Sequence, residues 1–184
     1  MANEIKITIA LLPPPDIFQW LAGLSRQVNQ AVKHPPFVLD DQRQPHLSLA
    51  ISEIRVESLE SVNRLAQDRL SLFANINLIT ANVETLHLGK HDWTMLMVEN
   101  SELLRQLNVE LMDYLAKIEV QAGDYRRFGS YEHYQPHFTL GVNQGNIRLS
   151  LEKKQFVPER IAVCELGEYA TCSKIISKWD LIRN

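Results

Sequence analysis

Apolar and polar residues follow two different periods along the chain, and each period predicts one kind of element. Alternation predicts strands over 5–12, 46–51, 76–88 (with a break near Ala81), 93–98, 137–142, 161–166 and 171–182. Apolar residues spaced by three or four predict helices beginning after Asp16 and after Ser58, and a third over 101–118. Asp16 follows three prolines that stop the first strand, so we expect it to be the N-cap of the first helix.

This order of elements predicts an α+β protein with antiparallel sheets and outer helices. No segment rich in glycine and serine, and no run of like charges, separates the two halves of the chain. We therefore expect a single domain over residues 1–184. If it has two lobes, they should pack directly, and the cleft between them is the natural place for a site.

One short block occurs twice. Gln44-Pro45-His46-Leu47-Ser48-Leu49-Ala50-Ile51 returns as Gln135-Pro136-His137-Phe138-Thr139-Leu140-Gly141-Val142, with four of the eight positions identical. In a strand, residues two apart share a face, so each copy presents a histidine and a hydroxyl on the face opposite its apolar residues. A single copy would be an ordinary strand, but core packing does not explain why both copies keep the polar pair. The repetition favours a functional site.

Two histidines facing each other across a cleft suit acid–base catalysis. A neutral imidazole can take a proton from the attacking oxygen while a protonated one supplies the leaving oxygen. In phosphoryl transfer the non-bridging oxygens need hydrogen-bond donors, and the Ser48 and Thr139 hydroxyls can supply them. We therefore predict that His46 and His137 are catalytic and that Ser48 and Thr139 bind phosphate.

Zinc binding is the alternative role for paired histidines, but a zinc site needs one or two further protein ligands. His34, His87, His91 and His133 form no recognisable ligand spacing with the repeated pair. We predict no metal and no cofactor.

Cationic and aromatic residues are interleaved in the segment 124–134, which leads to the second histidine. This mixture suits phosphate contact and base stacking, although a solvated surface loop would have the same composition. Arg43, three residues before His46, is the matching cation on the other side. The possible substrate contacts are therefore Arg43, Arg126, Arg127, Tyr131 and Tyr134.

Composition narrows the classes of partner. A net charge of −3 and a pI near 6.1 argue against a surface for duplex DNA. No apolar run approaches the ~20 residues of a membrane span, and we expect a monomer in the cytoplasm. Cys164 and Cys172 are too few for a disulfide framework, so we expect two buried thiols, with a disulfide between them left open.

The two His-x-Ser/Thr-x motifs, His46-Leu47-Ser48-Leu49 and His137-Phe138-Thr139-Leu140, resemble those of the 2H phosphoesterase superfamily. That superfamily includes 2′-5′ RNA ligase-like proteins and cyclic phosphodiesterases. The resemblance implies two pseudo-twofold α+β lobes around a central cleft. It also implies that His46 and His137 form the acid–base pair and that Ser48 and Thr139 bind phosphate oxygens. Ligase-like members often have a basic residue after the second motif, where this chain has Gly141-Val142-Asn143.

The expected function is a metal-independent phosphodiesterase. Its substrate would be a 2′,3′-cyclic phosphate, or a related 2′-linked phosphodiester, on an RNA end or a nucleotide. The alternatives are a reversible 2′-5′ RNA ligase and a module that binds RNA ends with little turnover. The pseudo-symmetry of the motifs leaves open which histidine is the base.

Overall fold

A computed structural model describes residues 3–30, 32–74, 76–88, 90–118, 134–142, 149 and 151–181. Within these ranges the strands are β1 (Glu4–Leu12), β2 (Leu47–Arg55), β3 (Leu78–Leu88), β4 (His91–Val98), β5 (His137–Val142), β6 (Gln155–Phe156), β7 (Arg160–Leu166) and β8 (Cys172–Asp180). The helices are α1 (Pro15–Asn29), α2 (Leu59–Asp68), α3 (Leu70–Phe73) and α4 (Glu102–Leu115). Short 3₁₀ turns cover Val56–Ser58 and Glu168–Ala170.

The strands form two four-stranded sheets, in the orders β2-β1-β7-β8 and β5-β4-β3-β6. The pairings within both sheets are antiparallel. The predicted α+β class is therefore confirmed. Each sheet contains the same strand–helix–strand unit along the chain, β1-α1-β2 in one and β4-α4-β5 in the other, which is the expected pseudo-twofold arrangement. In both units the strand that carries the repeated block lies at the sheet edge.

Helices α1 and α4 pack across this pseudo-symmetry. Helix α1 contacts β5 of the second sheet, and α4 contacts β2 of the first. One hydrophobic core includes residues of both sheets and both helices, among them Ile9, Leu21, Leu96 and Leu107. Each helix therefore supports the repeated strand of the other half. The edge strands β2 and β5 lie close together, with some of their Cα atoms within 8 Å of each other.

The predicted elements are found with shifted ends. The break expected near Ala81 is a register irregularity between Thr80 and Val83 within a continuous β3. Asp16 as an N-cap is wrong: Pro14 occupies that position, and Asp16 lies in the first turn of α1. The two-residue strand β6, which pairs with β3, had no periodic signal because it is too short to show one. Cys164 and Cys172 are free, buried thiols, as expected.

In the part of the chain that the structure describes, no helix combines the length and the apolar character that crossing a membrane would require.

Candidate active site

The repeated blocks present their polar residues on one face. In β2, Leu47 and Leu49 are 0% and 1% exposed, whereas Ser48 is half-buried. In β5, Phe138 and Leu140 are 1% and 0% exposed, whereas His137 and Thr139 are half-buried. His46 immediately precedes β2 and is also half-buried. The apolar face of each strand is thus in the core, and its histidine and hydroxyl are on the accessible face.

Both histidines are held by the same local hydrogen bond. Nδ1 of His46 lies 3.0 Å from the carbonyl oxygen of Gln44, and Nδ1 of His137 lies 2.7 Å from that of Gln135. A carbonyl can only accept, so Nδ1 carries the hydrogen in each ring. In the neutral imidazole, Nε2 then has the free lone pair. Both rings therefore direct the same nitrogen, Nε2, away from their own backbone.

The surroundings lower the proton affinity of both rings. Burial lowers the pKa of His46, the hydrogen bond to Gln44 raises it, and the charge of a protonated His137 lowers it again. Burial also lowers the pKa of His137, against the opposing effect of the hydrogen bond to Gln135. The two rings are therefore close enough to interact electrostatically. Adding a second proton to the pair is harder than adding the first.

Further contacts join the two motif strands. The hydroxyl of Tyr134, three residues before His137, donates to the carbonyl oxygen of Ser48 at 3.0 Å. Tyr134 itself is buried, and burial raises its pKa, so the hydroxyl remains a donor. His46 and Thr139 line one small cavity between the two sheets, together with Phe37, Gln44, Tyr169 and Thr171. One residue from each motif thus faces the same space.

The Ser48 and Thr139 hydroxyls are not engaged by any other described residue. They lie two positions after the histidines on the accessible faces. Each can therefore donate to a phosphate oxygen at no cost to the protein's own hydrogen bonds.

The other predicted contacts have different positions. Arg43 is exposed and lines a groove next to the small cavity. Tyr134 is buried and bonded to Ser48, as described above. Arg126, Arg127 and Tyr131 lie outside the described residues. The roles of these residues in binding substrate stay predictions.

Sequence reasoning missed a matched pair of bulges in the motif strands. The register of β2 against β1 skips Leu49, and that of β5 against β4 skips Leu140. These are the fourth residues of the two motifs, so the irregularity occurs at the same place in each. Bulges bend a strand and redirect its side chains, and they are common next to active sites.

Buried asparagines from the crossing helices bind the carbonyls of the bulged residues. Asn108 of α4 donates to the Leu49 oxygen at 2.7 Å, and Asn29 of α1 donates to the Leu140 oxygen at 3.2 Å. Ser25 also donates to Leu140, at 2.7 Å. A signal was present in the sequence: Arg26-Gln27-Val28-Asn29 matches Arg105-Gln106-Leu107-Asn108 at three of four positions.

Among the residues that the structure describes, no group of three or more histidine, cysteine, aspartate or glutamate side chains could hold a metal ion. That the reaction needs no metal stays a prediction.

No protein-family model matches the chain, and no curated protein matches it by sequence. Solved structures do match. The protein TT0787 of Thermus thermophilus aligns with a TM-score of 0.67 at 15% identity, covering 98% of this chain and 100% of its own. Escherichia coli LigT in apo form aligns with a TM-score of 0.58 at 13% identity, covering 99% and 100%.

Two further structures give the same result. LigT complexed with 3′-AMP aligns with a TM-score of 0.56 at 14% identity, covering 99% of this chain and 100% of LigT. A protein described as a phosphoesterase aligns with a TM-score of 0.54 at 14% identity, covering 97% and 99%. The chain therefore has the LigT-like fold over nearly its whole length. This is the fold that its resemblance to the 2H phosphoesterases implied.

Proposed function

We propose that this chain is a metal-independent phosphodiesterase that opens a 2′,3′-cyclic phosphate, or a related 2′-linked phosphodiester, on an RNA end or a nucleotide. The observation that carries the proposal is the matched pair of Nδ1–carbonyl hydrogen bonds on His46 and His137. They orient two imidazoles of the same tautomer from two edge strands that approach each other. LigT, which shares the fold, binds 3′-AMP, a nucleotide of the kind that opening such a ring produces.

The arrangement can perform an acid–base reaction at phosphorus. Nε2 of the neutral histidine takes a proton from water as the water oxygen bonds to phosphorus. Nε2–H of the protonated histidine gives its proton to the ribose oxygen as the bond from phosphorus to that oxygen breaks. Ser48 and Thr139 donate hydrogen bonds to the non-bridging oxygens, which carry the negative charge. One proton enters the pair and one leaves, so the product is a phosphomonoester and the net charge of the pair is unchanged. The proton now lies on the other histidine, and exchange with water returns each ring to its starting state.

This mechanism requires one protonated and one neutral imidazole. The charge on a protonated His137 lowers the pKa of His46, so the singly protonated state covers a wider pH range than it would for two independent rings. The electrostatics of the pair therefore favour the protonation state that catalysis needs.

The test is product analysis with an RNA that ends in a 2′,3′-cyclic phosphate, in the presence of EDTA. We expect wild type to open the ring, and His46→Ala and His137→Ala each to lose roughly 10²–10⁴-fold in kcat/KM. His87→Ala is the matched control, because His87 is exposed and bonds Asp92 at the surface; it should retain wild-type activity. Activity that survives in the double variant His46→Ala/His137→Ala would contradict the mechanism.

The same assay separates the alternatives. A 2′-5′ RNA ligase would use the same groups with the 5′-hydroxyl of a second RNA in place of water, and would join two RNAs. The positions after the second motif offer it no cation, because the chain has Gly141-Val142-Asn143 there. An RNA-end-binding module would retain the RNA and form no product with wild type.

A further inference from the structure

A second, larger cavity opens beside the candidate active site. It is a groove of about 470 Å³ between the segment that precedes β2 and the turn that joins β7 to β8. This volume lies within the ~300–1,000 Å³ of ordinary small-molecule sites. Four residues, Phe37, Gln44, Tyr169 and Thr171, line both this groove and the small cavity of His46 and Thr139. The groove is thus a direct continuation of the site.

Two cationic side chains line different walls of the groove. Arg43 belongs to the segment before β2, and Lys174 belongs to β8. Both are exposed, and neither forms an ion pair with any described residue. Arg43 follows a fixed turn, because the Asp40 carboxylate accepts from the backbone N–H groups of Gln42 and Arg43 at 2.9 and 2.8 Å. Its backbone is therefore positioned before any ligand arrives.

The groove also contains acceptors and amides. Asp41 and Glu168 bring its formal charge to zero, and Gln42 and Gln44 add neutral amides. A lining with two positive and two negative charges does not suit a polyphosphate. It suits a ligand with one phosphate and several hydroxyl, amine and carbonyl groups, because carboxylates accept from hydroxyls and amines.

Tyr169 forms the wall shared by the site and the groove. It and Ala170 have φ values of 56° and 49°, in the left-handed region. The Tyr169 ring packs on Phe37, His91 and Trp93, with centroid separations of 6.2, 5.4 and 6.4 Å. His91 and Trp93 belong to β4 of the other sheet, so this ring joins the two sheets at the mouth of the groove. An uncommon backbone conformation at such a place indicates a function for the side chain it presents.

We propose that this groove binds the nucleotide on the 5′ side of the reacting phosphate, so that the substrate is an oligonucleotide end rather than a cyclic mononucleotide. Arg43 and Lys174 bind the internucleotide phosphate. The carboxylates and amides bind the ribose and base of the adjoining nucleotide. This inference rests on the proposed function, since it identifies the substrate class of the same site.

The experiment compares a mononucleoside 2′,3′-cyclic phosphate with a dinucleotide that ends in the same cyclic phosphate. Wild type should have a kcat/KM about tenfold or more higher for the dinucleotide, because a hydrogen bond to a charged group is worth that much. Arg43→Ala and Lys174→Ala should each lower the dinucleotide value about tenfold, through KM, and lower the mononucleotide value much less. Lys178→Ala is the matched control, since Lys178 is on the same strand but outside the groove.

The outcomes distinguish failure of the groove assignment from failure of the proposed phosphodiesterase function. Equal kcat/KM for both substrates, with no effect of Arg43→Ala, would overturn the groove assignment and leave the proposed function standing. If wild type turned over neither substrate, the proposed function would fail. Calorimetry with a dinucleotide 3′-phosphate would then test, without turnover, whether the groove binds the adjoining nucleotide. Binding weakened by Arg43→Ala but not by Lys178→Ala would support it, and binding that is absent or unaffected would overturn it.

Discussion

Pro45 and Pro136 have a local role beside the two histidines. Both are buried, and each biases the preceding glutamine toward extended geometry. That restriction limits the directions available to the glutamine carbonyl, which in both copies accepts the hydrogen bond from Nδ1 of the histidine. The backbone, rather than the glutamine side chain, thus sets the tautomer. A local tripeptide therefore specifies the orientation of each ring, which is why the motif could be interpreted from sequence.

The pH dependence of kcat/KM depends on the protonation of His46 and His137. Catalysis needs one proton on the pair, so kcat/KM should be bell-shaped, with its maximum midway between the two pKa values of the free protein. Because burial lowers both pKa values, the maximum should lie on the acid side of the usual histidine value of about 6.5. The measurement is kcat/KM on the cyclic-phosphate RNA from about pH 4.5 to about pH 8.5. A maximum on the alkaline side of neutrality would contradict the lowered pKa values.

At the scale of elements, the two edge strands depend on helices from the opposite unit. A bulged residue leaves the sheet's hydrogen-bond ladder, so its carbonyl needs another donor in a buried place. Asn108 supplies that donor to Leu49, and Asn29 and Ser25 supply donors to Leu140. Each bulge directly follows the hydroxyl residue of its motif, so the helices that hold the bulges also position the histidine strands relative to the core.

Replacing Asn108 with alanine tests this dependence. The free energy of unfolding should fall by about 1–3 kcal/mol, because the buried Leu49 carbonyl loses a hydrogen bond. If Asn108 acts by positioning β2, kcat should also fall while the pH of maximum kcat/KM stays unchanged. Urea unfolding and the kinetic pH profile are the measurements. Asn82→Ala, on the exposed part of β3, is the control and should change stability by less than ~0.5 kcal/mol.

Equal stability of wild type and Asn108→Ala would show that the Leu49 carbonyl does not depend on α4. Lost stability with unchanged kcat would show that Asn108 supports the fold without positioning the histidine strand.

At the scale of the whole molecule, one core unites both sheets, and the histidines lie where their edges approach. Folding moves both imidazoles from water into this partly dry cleft, and burial lowers the pKa of each. The folded protein therefore binds fewer protons than the unfolded chain between the lowered pKa values and the unfolded value of about 6.5. Stability should rise with pH through that window and be fully present above it.

The measurement is the free energy of unfolding in urea as a function of pH, for wild type and for His46→Gln/His137→Gln. The wild-type curve should rise more steeply than the variant's below about pH 6.5. The variant is the control, because it keeps every other titrating group. Parallel curves would mean that the two rings are equally easy to protonate in the folded and unfolded states, contrary to their burial.

Tertiary structure also changed the interpretation of single residues. Tyr134, whose contact with substrate stays a prediction, has a buried ring and a hydroxyl that donates to the Ser48 carbonyl. Tyr169 gave no sequence signal, yet its ring joins β4 to the groove. Both outcomes depend on contacts between distant parts of the chain, which no local period encodes.

The local features of the chain are encoded in its residue pattern: the two motifs, the shared face of each histidine and its hydroxyl, and the α+β order of elements. These follow from periods of two and 3.6 residues and from proline geometry, which act over a few neighbouring residues. Three other features became visible in the folded protein: α1 supports β5 and α4 supports β2, Leu49 and Leu140 are bulged, and a groove extends from the site. These features come from packing between strands and helices far apart in sequence, where burial and hydrogen-bond satisfaction select one arrangement.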